Sequence, residues 1–136
     1  MTMATIKEDY VSFEIAKLLK EKGFDELCIF KYNSEGVRMK AGVAIDEWQN
    51  SELDDDECSC VSLQMAMKWL REVHNIGIFP STYTITNSKG SKEEHVYGSA
   101  IVNLITFDLM CDDIMPNSSY EQACESAIKY CLENLI

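Results

Sequence analysis

Residues 62–76 read Ser-Leu-Gln-Met-Ala-Met-Lys-Trp-Leu-Arg-Glu-Val-His-Asn-Ile. At a helical step of about 100° per residue, Gln64, Lys68, Arg71, Glu72 and Asn75 fall in one arc roughly 100° wide. Leu63, Met65, Ala66, Met67, Trp69, Leu70 and Val73 occupy the rest of the circumference. So narrow a polar stripe predicts a helix buried on more than one side, the central helix of one domain with Trp69 in its core.

Working back towards the N-terminus, Thr5-Ile6-Lys7-Glu8 has capping-box spacing and predicts a helix running to about Lys22. Lys17, Lys20 and Lys22 sit in its last turns, where the dipole favours cations, and Gly23 supplies a left-handed stop. Phe24 to Tyr32 reads as a strand, with Cys28, Phe30 and Tyr32 on one face. Asn33-Ser34-Glu35-Gly36 reads as a turn, and Val37, Met39, Ala41 and Val43 alternate with Arg38 and Lys40 on the return.

Beyond the central helix, a second β region starts at Ile76, and Pro80 confines its first half to a sheet edge or an irregular entry. After a turn at Asn87-Ser88-Lys89-Gly90, Val96, Gly98, Ala100, Val102 and Leu104 alternate with His95, Tyr97, Ser99 and Asn103. The strand reading continues through Phe107 and Leu109, with a bend near Asn103, and ends at Pro116. Ser118-Ser119-Tyr120-Glu121 repeats the capping-box spacing before a last helix whose stripe is Tyr120, Ala123, Cys124, Ala127, Ile128, Cys131 and Leu135.

The expectation is therefore an α+β fold, a single domain over residues 1–136. About three helices pack on an antiparallel sheet of four or five strands, in the order α-β-β-α-β-β(β)-α. A weak internal echo, Lys17–Glu21 against Lys68–Glu72 and Asn33–Gly36 against Asn87–Gly90, suggests two αββ units side by side in that sheet.

The chain carries 23 acidic and 12 basic residues in 136, a formal charge of −11. Such a balance argues against direct binding to nucleic acid or to an anionic membrane and favours a basic protein partner. No signal peptide or membrane span is legible, so the setting read from the chain is cytoplasmic. In that setting the six cysteines read as reduced thiols acting as small hydrophobes.

Chemistry is sought first at residues 46–60, an acidic, loop-like stretch read as solvated and mobile. Cys58-Ser59-Cys60 lacks the second pair that structural zinc requires, and its thiols are read as facing solvent. Asp54-Asp55-Asp56-Glu57 lacks the alternation and glycine of a calcium loop. His74 and His95, the only histidines, have no nucleophile beside them in sequence; a Cys/His site would have to be formed by the fold. No catalytic residue, metal ligand or cofactor is assigned. Trp48, Asp54, Asp55, Asp56 and Glu57 stand as candidate binding residues, Trp48 either folding back as an anchor or awaiting a partner.

The runs Glu8–Glu14, Lys17–Asp25, Leu63–Glu72 and Ala127–Asn134 resemble a family of small uncharacterised proteins of Bacteroides-type gut bacteria and their phages or mobile elements. That resemblance implies a bacterial cytoplasmic setting and a phage origin, and it transfers no site residue. The leading functional expectation is a non-catalytic protein-binding module using the acidic surface. The alternatives are an acidic nucleic-acid mimic that inhibits a DNA-binding protein, a small Cys/His enzyme, and a structural role through self-association.

Overall fold

The helix expected from Thr5 starts instead at Phe13. In the computed structural model, which describes residues 6–42, 47–86 and 93–136, residues 9–11 run extended. The Val11 N–H donates to the Val61 carbonyl at 2.9 Å and the Leu63 N–H to the Asp9 carbonyl at 2.9 Å, flanking a bridge between Tyr10 and Ser62. That pairing buries Val11 completely and uses backbone groups that a longer helix would need. α1 (Phe13–Glu21) is capped by Ser12, whose hydroxyl accepts from the Ile15 N–H at 3.3 Å. It ends as the sequence predicts, with Gly23 at φ 97°.

The fold is α+β, with three α-helices and two antiparallel sheets of three strands each among the described residues. The expected single sheet of four or five strands is thereby corrected, and with it the αββ echo within one sheet. Tertiary contacts gather the chain into two compact units, 1–64 and 65–136.

In the first unit, β1 (Phe30–Tyr32) lies between β2 (Arg38–Lys40) and β3 (Cys58–Ser59). The β1–β2 turn closes on Asn33, whose Oδ1 accepts from the Glu35 and Val37 N–H groups at 2.9 and 3.0 Å, with Gly36 at φ 78°. β3 comes from the stretch read as loop. Tyr32 pairs with Cys58 and Lys31 with Ser59. Cys58, Ser59 and Cys60 are all buried, so the reading of solvent-facing thiols there is overturned.

α2 (Leu63–His74) leads into the second unit. Gln64, Lys68, Arg71, Glu72 and Asn75 are exposed as their spacing predicts, and Leu63, Ala66, Met67, Trp69 and Leu70 are buried. Met65 and Val73 are exposed as well, so the helix shows a wider face than the arc of polar residues indicates. Asn75 ends the helix in the left-handed region, φ 56°, and β4 (Ile76–Thr86) follows without a loop.

β4 pairs along its whole length with β5 (Glu93–Asn103), from Ile76 opposite Asn103 to Thr86 opposite Glu93. As an edge strand it accommodates Pro80. The bend expected near Asn103 is a full reversal, so Phe107 lies in the turn and Leu109 opens the next strand. Asn103 Oδ1 accepts from the Ile105 and Thr106 N–H groups at 2.9 and 3.1 Å, and β6 (Leu109–Asn117) returns along β5 with two irregularities in register. α3 (Tyr120–Asn134) is capped by Ser119, one residue later than the capping-box reading. Gln122 gives its N–H to the Ser119 hydroxyl at 3.1 Å, and its side-chain oxygen reaches one residue past the cap to accept from the Ser118 N–H at 3.1 Å.

α3 lies against the sheet of β4, β5 and β6 and covers the face that carries Ser99 and Ile101. Ile101 is wholly buried, and the Ser99 hydroxyl donates to the Ala123 carbonyl at 3.0 Å. The alternating apolar residues Ala100, Val102 and Leu104 therefore sit on the opposite face and remain half-buried. Thr5, Val43, Asp46 and the turn expected at 87–90 lie outside the described residues.

Candidate functional site

A long polar stretch keeps a fixed course only if its backbone groups find partners. Residues 47–57 are held by side chains: Asn50 ties the stretch to its neighbours, and Lys20 and Asp25 bond its backbone groups. Asn50, at the start of a single 3₁₀ turn (Asn50–Glu52), is only 4% exposed. It donates from Nδ2 to the Phe24 carbonyl at 2.7 Å and accepts at Oδ1 from the Ser59 N–H at 2.8 Å. One amide thus ties the end of α1 to β3. Lys20, reaching out from the last turn of α1, donates from Nζ to the carbonyls of Asp54 and Glu57, both at 2.7 Å. Those carbonyls bracket a turn closed by the Glu57 N–H on the Asp54 carbonyl at 3.0 Å. An ammonium therefore occupies the point where they converge. Asp25 adds a carboxylate oxygen that accepts from the Ser51 N–H at 2.7 Å.

The candidate residues divide under this geometry. Trp48 folds back: its backbone pairs in both directions with Cys28, at 2.7 and 2.8 Å, and the Lys31 ammonium lies 4.9 Å from its ring centroid. The same ammonium meets Glu57 Oε2 at 2.7 Å, and that bond holds the Glu57 carboxyl below its ordinary value. Trp48 and Glu57 are therefore engaged with Lys31 within the first unit. Asp54, Asp55 and Asp56 are exposed. Beside the loop an open hollow of about 300 Å³ is lined by Lys20, Gly23, Phe24, Asp25, Asn50 and Ser51. The expected mobile loop is in fact tied down at several points, with its central carboxylates left to solvent.

The thiols and histidines are placed differently. All six cysteines are unbridged. Burial pushes Cys28, Cys58 and Cys124 up to about 11 and Cys131 to about 12; Cys60 is raised for the same reason. A thiol so shifted is a poor nucleophile at neutral pH, because the thiolate is the reacting form. Treated with Ellman's reagent near neutral pH, the native chain is expected to release at most two equivalents, from half-buried Cys28 and Cys111. Cys28 is expected to react on the order of tenfold more slowly than an unshifted thiol of equal exposure, since the scarcer thiolate is also the more nucleophilic. A rapid release of more than two equivalents would contradict this placement.

The His74 ring packs edge-on against Trp69 at 4.7 Å, and its buried Nε2 has no hydrogen-bond partner among the described residues. His95 Nδ1 lies 3.5 Å from the Thr84 hydroxyl. Among the described residues no group of three or more His, Cys, Asp or Glu is arranged to hold a metal ion, and no helix is long and apolar enough to cross a membrane.

Comparison with protein-family models, curated proteins and solved structures finds no match. The site therefore rests on its own geometry. Sequence reading singled out the carboxylates and missed Asn50, Lys20 and Lys31, which hold them. A signal for Asn50 was present: an amide two residues after Trp48, immediately before Ser51 and Glu52, suits the start of a 3₁₀ turn. Nothing local signalled Lys20, whose partners lie 34 and 37 residues away.

Proposed function

We propose that the chain is a non-catalytic protein-binding module of a bacterial or phage-borne cytoplasmic system, and that Asp54, Asp55 and Asp56 contact a basic surface on its partner. One observation carries the reading. Three consecutive exposed carboxylates sit on a turn whose flanking carbonyls are both bound by Lys20. A loop already ordered in the free protein loses less conformational entropy on binding than a mobile one. The surrounding charge of −11 adds long-range steering towards a cationic partner. Trp48 and Glu57 support the loop through Lys31 and do not make the primary contact.

Capture of partners from bacterial lysate with and without nuclease, followed by titration of the partner obtained, tests the reading. Changing Asp54, Asp55 and Asp56 together to Ser is expected to weaken binding by at least about tenfold and to flatten its salt dependence. Glu57 is left intact so that its bond to Lys31 survives. Unchanged affinity and salt dependence would end the proposal. Competition by duplex DNA distinguishes the mimic within it: a partner displaced by DNA uses its nucleic-acid surface to grip the acidic loop, whereas one indifferent to DNA does not. Burial raises Cys28, Cys58, Cys60, Cys124 and Cys131, which disfavours a Cys/His reaction at those five thiols.

A further inference from the structure

Among the described residues α3 packs on one side of the sheet of β4, β5 and β6, and the other side is where the sequence concentrates its alternating apolar residues. Register fixes which residues share that face: Gly77, Val102 and Leu109 lie in line across the three strands, and Phe79 stands opposite Ala100. Gly77 is bare because two neighbours close over it. A Cβ there would stand 2.8 Å from Leu104 Cδ2 and 2.9 Å from Phe79 Cε2. The patch continues into the β5–β6 turn with Ile105 and Phe107.

Phe79 is 52% exposed, Ile105 68%, Phe107 80% and Leu109 59%. Phe107 also has φ 64°, a left-handed conformation that a bulky residue adopts only at a cost. Among the described residues this aromatic is thus held in the left-handed region by the turn, its N–H on the Asn103 carbonyl at 2.7 Å, and is left largely exposed.

We propose that this face is the interface of a homodimer, two copies meeting through Phe79, Leu104, Ile105, Phe107 and Leu109. Area supports a second copy as the occupant. The four exposed side chains present on the order of 500 Å² of apolar surface. That matches the apolar share of one side of a standard interface, about 800 Å² per partner and a little over half non-polar. Acidic residues also fall on this face, Asp108 in the turn and Asp112 in line with Ala100 and Phe79, and these add to the repulsion between two copies that salt must screen. A two-fold arrangement needs only that the patch fit itself.

Two copies each bearing −11 repel, so screening should tighten the dimer between roughly 50 mM and 500 mM salt. A basic partner seated on the same face would be weakened by the same change. Sedimentation velocity on the full chain, up to high-micromolar protein at both salt concentrations, is expected to show a reversible dimer favoured by salt. Phe107→Gly is expected to weaken dimerisation at least tenfold while raising the melting temperature of the monomer, since glycine tolerates the left-handed conformation. Leu109→Asp should abolish the dimer and leave the fold intact by circular dichroism. Wild-type protein that stays monomeric at every concentration in high salt would overturn the proposal. So would a dimer that survives both substitutions unchanged.

Discussion

Asn50→Asp is expected to destabilise the first unit by about 3–5 kcal/mol at neutral pH, enough to unfold it in a chain of ordinary stability. Asn50 is 4% exposed and works in both directions, donating to the Phe24 carbonyl at 2.7 Å and accepting from the Ser59 N–H at 2.8 Å. A carboxylate keeps the acceptor and loses the donor, placing a buried negative oxygen against a carbonyl oxygen. Both burial and that contact disfavour ionisation, so the folded-state pKa of the new Asp lies above its unfolded value of about 3.9. The sign follows from proton binding. Between the two values the folded state holds a proton that the unfolded state has released, so stability falls as pH rises through that window. Below it the neutral acid again has an O–H to give to Phe24, and much of the loss is recovered. Urea unfolding of both proteins near pH 4 and near pH 7 checks this. Equal losses at the two pH values, or a loss under about 0.5 kcal/mol at neutral pH, would mean that Asn50 does not hold the loop as described.

The contrast between Asn50 and Trp69 shows what local sequence carries. Trp69 is one of many residues repeating at the helical period, so its burial follows from pattern alone, and the ends of α1 and of the β1–β2 turn follow from Gly23 and Gly36 for similar local reasons. Asn50 acts through partners 9 and 26 residues away, and no periodicity registers that. β3 was illegible because two residues, Cys58 and Ser59, are too few to show alternation and follow an acidic run. The start of α1 was misread because the capping-box spacing at Thr5–Glu8 competes with pairing of residues 9–11 against 61–63, which only the fold reveals. In β5 the alternation was real, but it marked the face that α3 leaves open. A helix-covered face needs few large residues when Ile101 fills the space and Ser99 bonds directly to α3.

That last assignment gives the other large effect. Ile101→Ala is expected to cost about 2–5 kcal/mol, from lost transfer energy and the cavity left beneath α3. Ile101 is fully buried on the central strand, opposite Ile78 on one side and Cys111 on the other, so no neighbour is free to fill the gap. Leu109→Ala, across the sheet on the open face, removes a side chain already 59% exposed and is expected to cost about 1 kcal/mol or less at protein concentrations where the monomer dominates. Raising the concentration should widen the effect of Leu109→Ala, because the lost contact then includes the second copy, and should leave that of Ile101→Ala almost unchanged. Equal costs in dilute protein would mean that both faces are packed within the chain, and the apolar alternation of β5 would then be ordinary core rather than an exposed surface with a partner to meet.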